Sequence, residues 1–248
     1  MNVNAIETTN LSKRYKDQLA LDRVDIRVPE GSVYVLVGAN GAGKSSTFRI
    51  LLNLERPTSG DAKVFGLATE DPQARAQIGY VPEQQQSPYP WMTCGRLLQH
   101  VAAFYPSWNS TYAEHLVKAL EIRTDKKSGS LSKGELRRLQ LVMAMAHRPP
   151  LLLLDEPTEG LDIVARKQVL SLLAEHLADS PTTVVIATHH IHEVDSFTDY
   201  VGVLKQGKLH SQMHRDELRQ LVASQHADAR PLSLEDAIAA ILSSEESR

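Results

Sequence analysis

At 248 residues the chain is long enough to bury a sizeable core, as one large domain or two small ones. Its 27 Lys and Arg against 30 Asp and Glu leave a formal net charge of −3, which argues against a polyanion as main partner, and 42% hydrophobic with 23% charged residues excludes wholesale disorder. One cysteine, Cys94, excludes an internal disulfide framework and an all-cysteine metal site, and fits a reducing compartment.

The opening residues Met1-Asn2-Val3-Asn4-Ala5-Ile6-Glu7 lack a charged segment followed by an apolar run, so no secretory signal is expected. Two strands are predicted near residues 5–11 and 21–28, as antiparallel pieces at one edge. Residues 32–37 form an apolar β-rich run, then a Gly-rich turn, then a helix from Lys44 to about Leu54. From about residue 87 to 150 the pattern turns helical, over 93–104, 110–121 and 132–147, and reads as a helical subdomain inserted into the core. Residues 151–154 and 183–187 are buried-strand candidates flanking a helix over 163–177. Apolar runs without polar alternation suit parallel strands covered on both faces, the mark of an α/β domain. After Leu209 come helical patterns over 214–222 and 234–242, with a break at Pro231. The expected organisation is a main domain over 1–215 and a helical extension over 216–248. No apolar stretch approaches the roughly 20 residues of a membrane span, so a membrane process would need another chain.

Gly38-Ala39-Asn40-Gly41-Ala42-Gly43-Lys44-Ser45 matches the phosphate-loop pattern in full, between a strand and a helix. Glycines let successive N–H groups point at an anion, and the helix N-terminus adds partial positive charge. Lys44 would reach the β- and γ-phosphates of a nucleotide, the Ser45 hydroxyl would ligate Mg²⁺, and Ser46 joins the same set. Asp155 and Glu156 end the strand Leu151-Leu152-Leu153-Leu154, where open α/β sheets bind ligands. Beside a phosphate loop such an Asp holds Mg²⁺, and the adjacent Glu is the candidate general base. An acidic turn before Pro157 is the plainer alternative.

Leu131-Ser132-Lys133-Gly134-Glu135 opens a helix, with Ser132 and Glu135 spaced as a capping box. Gly134 in the first turn costs roughly 1 kcal/mol relative to Ala, which suggests that something approaches the backbone there. Such a start is a second anion-binding device.

In this order, residues 38–45, 131–135 and 151–156 resemble the Walker A, signature and Walker B motifs of the ABC ATPases. Gly160-Leu161-Asp162 resembles the D-loop, Thr188-His189 the switch histidine, and Tyr15 in Ser12-Lys13-Arg14-Tyr15 the aromatic that stacks on adenine. The lysine-containing signature, the segment Ile78-Gly79-Tyr80-Val81-Pro82-Glu83 and the tail around Leu234-Glu235-Asp236 are similar to ATP-binding subunits of ABC-2-type exporters. The resemblance implies a P-loop NTPase core with a mostly parallel sheet, ATP and Mg²⁺ as ligands, and two cassettes head to tail. Ser132 and Gly134 of one would bind the γ-phosphate held by Lys44 of the other, with Glu135 and Asp162 also among the nucleotide-binding residues. It implies hydrolysis through Glu156 and His189, homodimer or heterodimer pairing, and a membrane-spanning permease on a separate chain, at the cytoplasmic face of the membrane. Nucleic acid is not an expected partner.

Two departures stand out. Lys133 replaces the commonest glycine and Glu135 the commonest glutamine of the signature; serine and the critical glycine remain. Alignment places Glu83 at the family's glutamine position, ordering water near the metal, with Gln84 the adjacent alternative. His189, His190 and His192 lie close in sequence, but without a cysteine or fourth ligand they read as a switch histidine with two surface or helix-start residues. Tyr105, Trp108 and Tyr112 either pack the insert or face a membrane partner. The rival to transport is a soluble ABC ATPase acting on nucleic acid or ribosomes.

Overall fold

The computed structural model describes residues 4–84, 86–225 and 233–244. In chain order these carry β1 (Asn4–Tyr15), β2 (Gln18–Val24), β3 (Arg27–Pro29), β4 (Val33–Val37), α1 (Lys44–Leu51), β5 (Ser59–Val64), β6 (Leu67–Ala68), α2 (Pro72–Ala76) and β7 (Ile78–Val81). Then follow α3 (Cys94–Ala102), α4 (Ser110–Ala119), α5 (Lys133–Met145), β8 (Leu151–Asp155), α6 (Ile163–Asp179), β9 (Thr183–Thr188), β10 (Tyr200–Lys205), β11 (Lys208–His214), α7 (Arg215–Gln225) and α8 (Leu234–Ser244). Two compact units result: residues 1–74 with 183–248, and residues 75–182. The break expected at Pro231 lies outside the described residues, as does part of the extension beyond it.

In the first unit β4 pairs in parallel with β9 and with β10, and β11 adds an antiparallel edge. All five β4 residues are buried, as a strand with neighbours on both sides requires. The N-terminal strands are not pieces at the edge of that sheet. They form an antiparallel sheet of their own, in which β1 lies between β5 and the pair β2 and β3. The single strand expected over 21–28 is two, and Thr8 explains the break. Its hydroxyl donates to Val24 O at 2.8 Å and accepts from Ile26 N at 2.7 Å, so a side chain satisfies backbone groups that a ladder would otherwise pair.

Helix α1 stops three residues short of the expected end. Asn53 takes a left-handed φ of 51°, a tolerable conformation for asparagine, and its N–H caps Ile50 O. The β10–β11 hairpin was not predicted; its two-residue turn, Gln206 (φ 50°) and Gly207 (φ 79°), has the positive dihedrals that match strand twist.

In the second unit β7 and β8 pair in parallel, Ile78 with Leu151 through Val81 with Leu154. The three helices expected in the insert are present as α3, α4 and α5, each slightly shorter than its apolar pattern. Tyr105 stacks on buried His147 with ring centroids 4.0 Å apart, and the Tyr112 hydroxyl meets His176 Nδ1 at 2.8 Å while Arg148 covers its ring at 4.4 Å. Packing is therefore the role of these two tyrosines. The exposed aromatics of the insert are Trp91 (65%) and Phe104 (69%), linked edge to face through Tyr89 and His100.

Burial holds His147 well below the usual imidazole range, at about 4, and lowers His176 as well. A depressed imidazole is neutral in the fold, so between about pH 6.5 and 4 the unfolded chain binds more protons and stability rises with pH. Thermal unfolding is therefore expected to fall in temperature as pH drops through that window. His147→Phe, which keeps the stack on Tyr105, should flatten the dependence; an unchanged pH slope in that variant would count against burial as the cause.

Candidate nucleotide-binding site

The phosphate-loop candidate leaves the C-terminal end of β4 and turns into α1, with Ala42 N donating to Ala39 O at 3.0 Å. Gly43 has φ 113°, a value open to glycine, and a Cβ there would lie 2.6 Å from Ala20 O. Gly38 is required for space: a Cβ would meet Leu204 O at 2.3 Å. The loop is thus wedged between β2 and the β10–β11 turn, and Gly207 N donates to Ala42 O at 3.0 Å. Ala39, Asn40 and Gly41 form its exposed crest. Lys44 is buried and donates from Nζ to Gly38 O at 2.6 Å, curled back over the loop. Ser45 and Ser46 follow in the first turn of α1, half-buried.

His189 directly follows β9, whose last residue Thr188 pairs with Val37 at the end of β4. The sheet register thereby brings this histidine and the phosphate loop to one edge of the first unit, where parallel strands end. His189 is exposed, its ring 3.8 Å from that of His190. His192 is exposed, its ring 5.8 Å from that of His190, and it pairs with Glu235 at 3.8 Å; among the described residues no group of His, Cys, Asp or Glu is placed to hold a metal ion. Tyr15, the last residue of β1, is half-buried and its hydroxyl lies 3.4 Å from Ser46 Oγ.

The second unit repeats this edge logic. Parallel β7 and β8 end side by side, so Glu83 and Gln84 follow one strand while Asp155 and Glu156 close its neighbour. Asp155 and Glu156 are 1% and 3% exposed. Glu156 adopts φ 47°, uncommon outside glycine and asparagine, which aims it away from the path a strand would give it. Glu83 and Gln84 have exposed side chains, but their backbones are strapped to α5. Arg137 donates to Pro82 O and, at 2.9 Å, to Glu83 O; Gln140 Nε2 donates to Gln84 O at 3.3 Å. Arg137 is fully buried, and Asp155, Glu159 and Glu83 offset the charge that burial disfavours. Neither Arg137 nor Gln140 stood out in the sequence, because a contact across more than fifty residues leaves no local spacing.

The capping box forms as its spacing implied. Glu135 N donates to Ser132 Oγ at 3.2 Å, and Ser132 N donates to Glu135 Oε2 at 2.7 Å. That backbone N–H, then Lys126 with Nζ at 3.0 and 2.9 Å from the two oxygens, hold the Glu135 carboxyl down at about 2. Lys126 thus offsets the acid that stands where the signature most often has an amide. A Cβ on Gly134 would lie 3.3 Å from Leu161 Cδ2, so close packing within the unit already uses part of that residue's smallness. Asp162 caps α6, its Oδ1 accepting from Val164 N at 2.9 Å and Ala165 N at 2.8 Å.

The family model described as ABC transporter matches residues 21–159. The chain is 32% identical over 216 residues to the ABC transporter ATP-binding protein YtrB of Bacillus subtilis, covering 87% of this chain and 74% of that one. It is 33% identical to the bacitracin transport ATP-binding protein BcrA of Bacillus licheniformis, over 86% of this chain and 71% of the other. The daunorubicin/doxorubicin resistance ATP-binding protein DrrA of Streptomyces peucetius is 34% identical, over 89% and 68%. Among solved structures, an ATP-binding subunit of an ABC transporter superposes with a TM-score of 0.84 at 26% identity, over 96% of this chain and 99% of that one. A dimeric ATP-binding cassette in a post-hydrolysis state, bound to ADP and Pi, gives 0.75 at 26% identity, over 84% and 98%.

Proposed function

The chain belongs to the ABC transporter family as an ATP-binding subunit of the exporter kind, with the fold of a P-loop NTPase, and from that premise we propose how its residues work. The observation that carries the reading is the loop at 38–45, with a left-handed Gly43, exposed crest and buried Lys44 at the end of a central strand. Backbone N–H groups from Gly38 to Ser46 would hold the triphosphate, Lys44 would pair with its β- and γ-phosphates, and Tyr15 would lie against the adenine. The hydroxyl of Ser45 and the carboxylate of Asp155 are hard oxygen donors of the kind Mg²⁺ takes, with Glu83 or Gln84 ordering water beside it. Bound there, the ion would neutralise charge on the phosphates.

Glu156 would accept the proton of the attacking water, and His189 would hydrogen-bond the γ-phosphate. The helix start at Ser132 and Gly134 is read as serving a second cassette, either another copy of this chain or a related one, with Glu135 and Asp162 also among the nucleotide-binding residues. Dimer closure on ATP and release after hydrolysis would then drive a membrane-spanning permease on a separate chain. The domain reading stays as 1–215 for catalysis and 216–248 as an extension. No helix among the described residues is long and apolar enough to cross a membrane; the family reading would place the chain at the cytoplasmic face, held there by the permease. The nucleic-acid alternative draws no support from the relatives.

The test is the ATPase rate of the purified chain, alone and reconstituted with the membrane protein encoded beside it. Stimulation by that partner is expected. A rate indifferent to it but raised by RNA or ribosomes would overturn the transport reading and leave the catalytic assignments standing.

A further inference from the structure

Glu55 lies outside every motif discussed above, yet it is the hub of a cluster at the back of the nucleotide site. Its carboxylate accepts the Tyr15 hydroxyl and is flanked by Lys13 Nζ at 3.4 Å and Arg49 Nη1 at 3.6 Å. Its backbone is fixed too, since Glu55 N donates to Arg49 O at 3.2 Å. Lys13 also donates to Arg56 O at 2.7 Å, which parks its ammonium 5.0 Å from the centroid of the Tyr15 ring. The antiparallel register of β1 with β5, Ser12 opposite Ser59, brings these groups together.

Tyr15 is the last residue of β1, followed by a left-handed turn residue (Lys16, φ 50°), so its ring stands where the sheet ladder stops. Here the hydroxyl is tethered at Glu55 and lies against Ser46 of α1, so the ring is tied to the helix that opens at the phosphate loop. A cation over one face enriches an aromatic ring's interaction there and leaves the opposite face for stacking. Two cations offset the charge of Glu55, so the anchor adds little repulsion toward phosphates.

We propose that Glu55 is a positioning residue for nucleotide binding, latching the Tyr15 ring, with Lys13 on one face, as a preorganised platform for the purine base. This rests on the reading of Tyr15 as the residue against adenine. Preorganisation acts by cutting the ordering cost of binding, so the effect belongs to nucleotides that carry a base and falls on KM more than on kcat.

The experiment measures binding of ATP and of inorganic tripolyphosphate, each with Mg²⁺, to the full chain and to Tyr15→Ala, Tyr15→Phe, Glu55→Leu and Tyr15→Phe/Glu55→Leu. Leucine is chosen because a glutamine would still accept the tyrosine hydroxyl. Tyr15→Phe and Glu55→Leu should each weaken ATP about fivefold, the worth of one hydrogen bond, while moving tripolyphosphate less than about twofold. The double variant should be no worse than either single one, because both break the same bond. Tyr15→Ala should lose more than either. Wild-type ATP affinity in Tyr15→Ala would sink the Tyr15 reading and the latch with it. A weakened Tyr15→Ala beside unaffected Tyr15→Phe and Glu55→Leu would sink the latch alone. Equal losses for ATP and tripolyphosphate in Glu55→Leu would assign Glu55 to the phosphate loop or the fold, and so also overturn it.

Discussion

Replacing Glu156 by glutamine is expected to lower ATP turnover at least about 100-fold while ATP binding survives, because a general base contributes on the order of 10²–10⁴ in rate. The residue is almost fully buried at the end of β8, in a left-handed backbone conformation that glutamine can keep. The substitution preserves shape and removes the ability to accept a proton. If closure on ATP joins two cassettes and hydrolysis parts them, the variant should also accumulate as a dimer in ATP. Turnover at saturating ATP and size-exclusion profiles with and without ATP measure both effects. Rapid hydrolysis by the variant would end the base assignment.

Lys44→Ala should act one step earlier, on binding. The ammonium sits buried at the base of the loop and donates to Gly38 O, and a phosphate is a far stronger acceptor than a carbonyl oxygen. A charge-assisted hydrogen bond contributes roughly 1.5–3 kcal/mol, so ATP affinity should fall about 10- to 100-fold. Titration calorimetry with ATP reads this, with a thermal melt to confirm that the variant folds. Unchanged affinity would contradict the loop's assigned role, whatever happens to turnover.

The two variants separate the units of the chain. Lys44 belongs to the first and Glu156 to the second, so a binding defect in one and a chemical defect in the other would match the division of residues between them.

The strand expected over 21–28 breaks because Thr8, on another strand, supplies the hydrogen bonds at Val24 and Ile26. The β10–β11 hairpin carries only a faint local signal, because Gln-Gly is a weaker turn sequence than Asn-Gly. At Gly134 the space that a Cβ would fill is shared with Leu161, distant in sequence, which no local pattern announces.

By itself the sequence determined whatever hydrogen bonds or periodicity reach within about four residues. The glycine loop before a helix, the capping box at Ser132 and Glu135, the acids ending an apolar run and the Gly160-Leu161-Asp162 segment all lie within that reach, which is why the family could be read from them. Tertiary structure alone decided the rest. Strand register set Tyr15 against Glu55 and Lys13, the packing of α5 put Arg137 under the carbonyls of Pro82 and Glu83, and parallel pairing brought His189 to the phosphate-loop edge. Such contacts join residues tens of positions apart, and their geometry follows from how elements pair, which no local pattern encodes.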